Sequence, residues 1–375
     1  MKSTEPPYLR HLFALASKNR TPLSGTLEIT PRCNLNCRMC YIHTSDCTEA
    51  KKREMPRDKI FGILNELQKA GTLLLLITGG EPLIRTDFRD IYIKAKELGI
   101  SVCVNTNGTL INRDIINLFK EYPPARVNVT LYGASCETYE KVTGVSSAYE
   151  KAYAGVDMLL DAGIAVKLNM SINPQNACDI QKVYEFARNR DLFIEGASYM
   201  FPPARSGREF SDGDRMTPEM SGVIAAECER LVYDREHYRI RAEAVGSLAR
   251  VEGGLISGCS DESGEKIMCR AGTASYWITY DGKLSPCGMM NEPYEDLLDS
   301  SFIEAWNKLG GKIAEIRLPA ECSVCKYKPI CSVCAASCRA ETGRFDAVPE
   351  YQCRRTRSFY HENINYLRQA VKDDE

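Results

Sequence analysis

Long apolar runs, an excess of either charge and the marks of export are all missing from this sequence. No stretch of its 375 residues reaches the roughly 18 consecutive apolar positions that a membrane-spanning helix requires. Lys and Arg total 48 against 50 Asp and Glu, a formal net charge of −2, so no broad positive field exists to grip nucleic acid. Residues 1 to 20 lack the ordered charged, apolar and small-residue regions of a secretory signal. These absences place the chain in the cytosol, with neither a membrane nor a nucleic-acid partner. Seventeen cysteines in such a chain point to metal sites, because a reducing compartment keeps thiols from pairing.

Three of those thiols, Cys33, Cys37 and Cys40, fall within eight residues directly after a strand-like run. A cubane iron-sulfur cluster takes four thiolates, so a loop that supplies three leaves one iron open to another ligand. A zinc site usually pairs two short cysteine hairpins, and three crowded thiols cannot all form local disulfides. A second signal is Leu73 to Thr78, an apolar strand pattern, running into Gly79-Gly80-Glu81-Pro82. The CX3CX2C spacing together with this Gly-Gly-Glu-Pro run resembles the radical S-adenosylmethionine (radical SAM) enzymes. The resemblance implies that Cys33, Cys37 and Cys40 hold a 4Fe-4S cluster whose open iron chelates SAM. It also implies that Gly79, Gly80, Glu81 and Pro82 hold the methionyl amino group of SAM through backbone carbonyl and carboxylate acceptors. Met39 stands where the family commonly has an aromatic residue, and it can pack on a cluster's apolar side.

From Gly25 the pattern alternates strand and helix. Strand-like runs are 26–30, 73–78, 101–105, 126–131, 165–171 and 193–199; amphipathic helices are expected at 57–70, 87–98, 112–121, 148–162, 180–189 and 218–234. Six such units predict an α/β fold with parallel strands, short of the eight of a closed barrel and matching the partial (β/α)6 TIM-like barrel that the resemblance implies. Ligands of parallel α/β folds bind at the carboxyl ends of strands. Asn105 and Asn107 sit at the end of the third strand, where they serve either a turn or a polar contact to cofactor or substrate. Thr130 near the end of the fourth occupies the place where relatives put a Ser or Thr near the SAM ribose and methionine. Asn169 and Ser171 on the fifth strand, and the run Tyr199 to Arg205 at the rim, are further candidates for inward or substrate contacts.

Composition changes abruptly at Cys259. Nine cysteines lie from this point on, Cys259 included, and Asp281-Gly282 between two strand-like runs signals a hairpin that brings Cys269 and Cys287 together. Cys322, Cys325, Cys331, Cys334, Cys338 and Cys353 follow. The series is similar to the SPASM extension of radical SAM peptide and protein maturases, and departs from it in that Ala335 stands where the family's CX3C would close. The similarity implies two auxiliary 4Fe-4S clusters, one on Cys259, Cys269, Cys287 and Cys338, the other on Cys322, Cys325, Cys331 and Cys353. Cys334 is the ninth, spare thiol, and exchange of Cys334 with Cys338 stays open. A pair of zinc ribbons is the bland alternative. Cys47, Cys103, Cys136, Cys178 and Cys228 have no partner spacing and read as small buried or surface thiols.

The expected organisation is an N-terminal cap over 1–22, a radical SAM barrel over 23–240, a SPASM domain over 241–353 and a closing helix over 354–375. The 32 residues ahead of Cys33 are too few for the leader-binding domain found in many peptide-modifying relatives. The resemblance implies an oxidoreductase that cleaves SAM reductively, takes a hydrogen atom from a peptide or protein with the 5'-deoxyadenosyl radical, and passes the surplus electron to the auxiliary clusters. Its cofactors are then SAM and three 4Fe-4S clusters, and its partners a peptide or protein substrate and an electron donor such as ferredoxin or flavodoxin. Thioether or carbon-carbon crosslinking ranks above formylglycine formation in a sulfatase, because sulfatase maturases place an Asp after the thiol matching Cys287 and here Gly288 follows. A non-enzymatic iron-sulfur or zinc scaffold is the reading from another class.

Overall fold

The computed structural model describes residues 6–42, 47–203, 205, 210, 213–248 and 264–373. Its centre is one sheet of nine strands. In chain order these are β1 (Ser24–Glu28), β2 (Leu74–Thr78), β3 (Ser101–Thr106), β4 (Arg126–Leu131), β5 (Val166–Ser171), β6 (Ile194–Ala197), β7 (Ser275–Ile278), β8 (Lys283–Ser285) and β9 (Glu295–Asp296). Their spatial order is β6-β5-β4-β3-β2-β1-β7-β8-β9. Strands β1 to β6 pair parallel with their neighbours. Parallel neighbours need long crossovers, and helices Arg57–Lys69, Phe88–Glu97, Arg113–Glu121, Ala148–Asp161 and Ile180–Arg188 provide them. The six βα units expected from the sequence are therefore present, with strand bounds shifted by two residues at most.

Alternation along the strands sorts the two faces. Leu27, Ile77, Val102, Val104, Val127, Val129, Leu168 and Met170 are fully shielded and belong to the main core, with the helices. Their neighbours Ser24, Thr26, Leu74, Leu76, Cys103 and Asn128 line a cavity of about 800 Å3 on the opposite, concave face. Register carries this face across the sheet, since Thr130 lies beside Asn169 and Asn169 beside Glu195.

The C-terminal part is joined to the barrel through the backbone. Strand β7 pairs parallel with β1 from Ser24 to Leu27, and the hairpin β7–β8 turns at Asp281-Gly282 as the dipeptide foretold. Two expected borders fall inside helices, residue 240 within Arg235–Leu248 and residue 354 within Glu350–Asp373. The last helix also lies tight against Pro218–Val232: a Cβ at Gly222 would stand 2.4 Å from the Arg355 carbonyl oxygen. At the other end, helix Pro7–Asn19 places Phe13 and Ala16 against Leu23 and Ala274, the covering role expected of this segment. No helix among the described residues is long and apolar enough to cross a membrane.

Candidate active site

The Gly-Gly-Glu-Pro run and the three-cysteine loop are one construction. Beyond the end of the β1–β2 ladder, Gly80 N–H donates to the Thr30 carbonyl at 2.8 Å and Glu81 N–H to the Arg32 carbonyl at 2.9 Å. This brings the two backbones so close that a Cβ at Gly79 would stand 2.5 Å from Thr30 O, and one at Gly80 would stand 2.4 Å from Arg32 O. Only glycine fits there. The pairing fixes residues 30–32 and so the point from which Cys33 departs. Arg32 is held in turn by Glu54, its Nε 2.6 Å from Oε1.

The Glu81 carboxylate is also engaged within the protein. The side chain is fully buried, and its oxygens take hydrogen bonds from Leu83 N at 3.0 Å, Thr106 Oγ1 at 2.9 Å and Asn107 N at 2.8 Å. Burial raises its pKa to about 7 against the opposing pull of these donors. The carboxylate staples the turn after β2 to the end of β3, and Pro82 opens the short 3-10 turn Pro82–Ile84 beneath it.

From β3 the polar contacts run to the thiols. Asn107 Nδ2 lies 2.9 Å from Asn34 Oδ1 and 3.7 Å from Cys33 Sγ, while its Oδ1 accepts from Thr109. Asn105 is placed otherwise: its Oδ1 accepts from Asn128 at 2.7 Å, and Asn128 accepts from Arg126 at 2.8 Å, a ladder across the concave face. On the far side the loop is tied to the helix Cys136–Thr143, with Asn36 N–H on the Thr143 carbonyl at 2.8 Å. Met39 is buried, its Sδ 3.7 Å from Asn173 Nδ2.

The three thiols suit the group that the motif implies. Burial pushes Cys33 up to about 12 and Cys37 well above the usual thiol range, and each is raised further by the other thiols of the loop. Such thiols become ligands when a metal supplies the missing positive charge. Among the described residues no three His, Cys, Asp or Glu converge as a single ion demands. A cubane sets a different requirement, one thiolate to each iron, with the sulfurs spread around it.

Two thiol groups form in the C-terminal part. Cys322, Cys325, Cys331 and Cys353 line one small enclosed cavity of about 40 Å3 together with Gln352 and Thr356, whose Oγ1 is 3.3 Å from Cys331 Sγ. This is the foursome expected for the second auxiliary cluster. The final helix, expected from residue 354, begins at Glu350 and supplies three of these residues, Gln352, Cys353 and Thr356. In the other group, burial and then the neighbouring Cys334 and Cys269 thiols raise Cys287. Cys338, assigned to that group from the sequence, is fully buried in the helix Ala335–Thr342, and its thiol neighbours are Cys322, Cys334 and Cys331. The structure thus sets Cys334 beside Cys287 and Cys269, because the chain enters that helix at Cys334 while Cys338 lies one turn inside it. Cys259 lies outside the described residues, and nothing is described of the Cys47 side chain.

Between Cys40 and Cys287 stands a group of which the sequence reading named Arg205, in the rim run, but not its partners Glu28 and Trp277. Glu28 is wholly buried and accepts from Arg205 Nη1 at 2.9 Å and from Trp277 Nε1 at 3.0 Å. Burial raises its pKa, and Arg205 works against that. The guanidinium lies 5.3 Å from the Tyr41 ring centroid and 5.8 Å from that of Trp277. Tyr41 feels both Cys40 and Cys287. Tyr132, directly after β4, is half-buried beside the Cys33, Cys37 and Cys40 thiols. A carboxylate in the strand pattern at 28 and a tyrosine at a strand end were the available signals.

Residues 27–187 match the family described as the radical SAM superfamily. That match supports radical SAM oxidoreductase activity over a SAM-binding core, against the non-enzymatic scaffold. Among proteins of known role, the chain is 27% identical over 336 residues to an AdoMet-dependent heme synthase of Methanosarcina barkeri, covering 85% of this chain and 92% of that protein. It is 23% identical to the sporulation killing factor maturation protein SkfB of Bacillus subtilis, over 81% of this chain and 68% of that one. Among solved structures, SuiB of Streptococcus suis bound to its precursor peptide SuiA aligns with a TM-score of 0.64 at 18% identity, covering 94% of this chain and 82% of that one. That likeness extends the shared fold through the C-terminal part, which resembles a SPASM-type auxiliary region.

Proposed function

We propose that this enzyme starts radical chemistry from SAM at Cys33, Cys37 and Cys40 and oxidises a peptide or protein substrate, forming a thioether or carbon-carbon crosslink. Loaded with iron-sulfur clusters, the first site supplies reductive cleavage of SAM and the C-terminal thiols an acceptor for the electron left on the oxidised substrate. The observation that carries the reading is that the two thiol sites adjoin: Tyr41 lies beside both Cys40 of the first site and Cys287 of the auxiliary group. A substrate held at the carboxyl ends of the strands would touch the barrel and the auxiliary thiols at once.

The chain's own residues do the positioning. Gly79 to Pro82 present a fixed backbone edge to SAM, with Asn105, Asn107 and Thr130 at adjoining strand ends. Buried Cys37 and Met39, with half-buried Tyr132, keep water from the first site. Cys259, Cys269, Cys287 and Cys334 would hold the first auxiliary cluster, and Cys322, Cys325, Cys331 and Cys353 the second. The peptide class is supported by likeness to SkfB and SuiB, whose names state peptide maturation and a precursor peptide. Gly288 after Cys287 continues to rank sulfatase activation lower. The longer match to an AdoMet-dependent heme synthase favours a second reading, oxidation of a tetrapyrrole. The deciding experiment supplies the reduced, reconstituted enzyme and SAM with a cysteine-containing peptide encoded beside it, or with an iron porphyrin bearing carboxylates. Loss of two hydrogens from the peptide, dependent on Cys37 and Cys322, supports the first reading; turnover of the porphyrin alone overturns it.

A further inference from the structure

The pair Glu28 and Arg205 leaves polar atoms unused in a place where the fold has no need of them. Glu28 Oε1, Arg205 Nε and Arg205 Nη2 are shielded from solvent and have no hydrogen-bond partner among the described residues. The Glu28 side chain is fully buried and that of Arg205 is 15% exposed. Buried polar groups are nearly always paired, so an orphan acceptor beside two orphan donors marks a missing third party. Tyr41 and Trp277, 6.4 Å apart between ring centroids with planes at 70°, wall the guanidinium in. Glu28 ends β1 and Tyr41 lies beside both Cys40 and Cys287, so the pair sits at the carboxyl end of the sheet between the two thiol sites.

The missing partner must accept from Arg205 and donate to Glu28. A carboxylate satisfies the guanidinium but meets Glu28 as a like charge, and an ammonium does the reverse. An amide does both, with its carbonyl toward Arg205 and its N–H toward Glu28 Oε1. It is also neutral, as suits a pair that already balances its own charge. We propose that Glu28 and Arg205 form a clamp for one amide of the peptide substrate and register it between Cys40 and Cys287. This rests on the peptide reading and names how the peptide is held.

The test is anaerobic equilibrium dialysis of the cluster-loaded enzyme with SAM. One probe is a pool of hexapeptides capped as acetyl and amide; the other is the same pool with ester links in place of the amides, which keep the carbonyl and lose the N–H. The clamp predicts that the ester pool binds roughly tenfold to a hundredfold more weakly, as loss of hydrogen bonds to charged groups gives. Arg205→Lys, which keeps the charge and loses the fork, should weaken the amide pool to a similar degree. Equal binding of both pools and of the variant would overturn the clamp and leave the peptide reading standing. Failure of the unaltered enzyme to retain any capped peptide would overturn the peptide reading, and the clamp's occupant with it. The ester comparison needs no variant, so a folding defect in Arg205→Lys cannot blur it.

Discussion

The backbone N–H of Asn107 donates to Glu81 Oε2 at 2.8 Å, and through this bond two strand ends are locked together under the cysteine loop. The same asparagine reaches Cys33 with its side chain. Glu81 therefore influences the thiols at one remove, by setting the residue that touches them.

A titration follows from its burial. Unfolded, the Glu81 carboxyl has an ordinary pKa of 4.5; folded, it is raised to about 7. The native state then holds the proton more tightly, so its contribution to stability is full below pH 4.5 and is lost as pH rises through 7. At roughly 1.4 kcal/mol for each tenfold change in proton affinity, the difference is about 3 kcal/mol. Denaturant unfolding of the iron-free chain should show this loss between pH 4.5 and 8. Glu81→Gln should remove that part of the slope, and an unchanged slope would refute the assignment.

Gly80→Ala tests the join between the two motifs. The added methyl would press on the Arg32 and Pro31 carbonyl groups, backbone atoms that cannot swing aside. A destabilisation of about 1–3 kcal/mol is expected from overpacking of this kind. Because the distortion is local to the loop, iron analysis should show loss of roughly one cluster's worth, with the C-terminal clusters retained. Full iron content together with normal SAM cleavage would show that the loop does not depend on this approach.

How much of this was legible beforehand depends on the distance over which residues act. Strand ends and the Cys33 to Cys40 loop are local, whereas the placing of Thr130 beside Asn169 depends on the register between two strands. Glu28, Arg205 and Trp277 are separated by 177 and 72 positions in the chain and meet only because β7 pairs with β1. No short-range pattern reports such a meeting. The internal bonds of the Glu81 carboxylate were not legible for a related reason: a motif records which residue is present, and the direction its side chain takes is decided by the donors that Leu83, Thr106 and Asn107 offer. The domain border drawn at 240 failed because the helix Arg235–Leu248 continues through it.

The choice between two neighbouring thiols can be made directly. Cys334 stands near Cys287 and Cys269, whereas Cys338 is sealed in its helix. Cys334→Ala should therefore lower iron content by about one cluster and change the auxiliary signals in electron paramagnetic resonance. Cys338→Ala removes only a small buried side chain and should leave the iron count intact, with a modest loss of stability. The opposite result would return Cys338 to the ligand set.

Asn107 offers a readout of the first site that is independent of turnover. Its amide hydrogen is directed at Cys33 Sγ across 3.7 Å, and hydrogen bonds to cluster sulfurs are among the factors that set reduction potential. A donor stabilises the more negative, reduced state, so its loss makes reduction harder. Asn107→Ala should shift the midpoint potential of the SAM-binding cluster to more negative values in a redox titration followed by electron paramagnetic resonance. The Thr109 and Asn34 contacts of the same side chain would also be lost, so Asn107→Asp provides the control. It keeps the Thr109 acceptor but replaces the donor with an anion, and should shift the potential further in the same direction. A potential unmoved in both variants would mean that the contact with Cys33 has no electronic role.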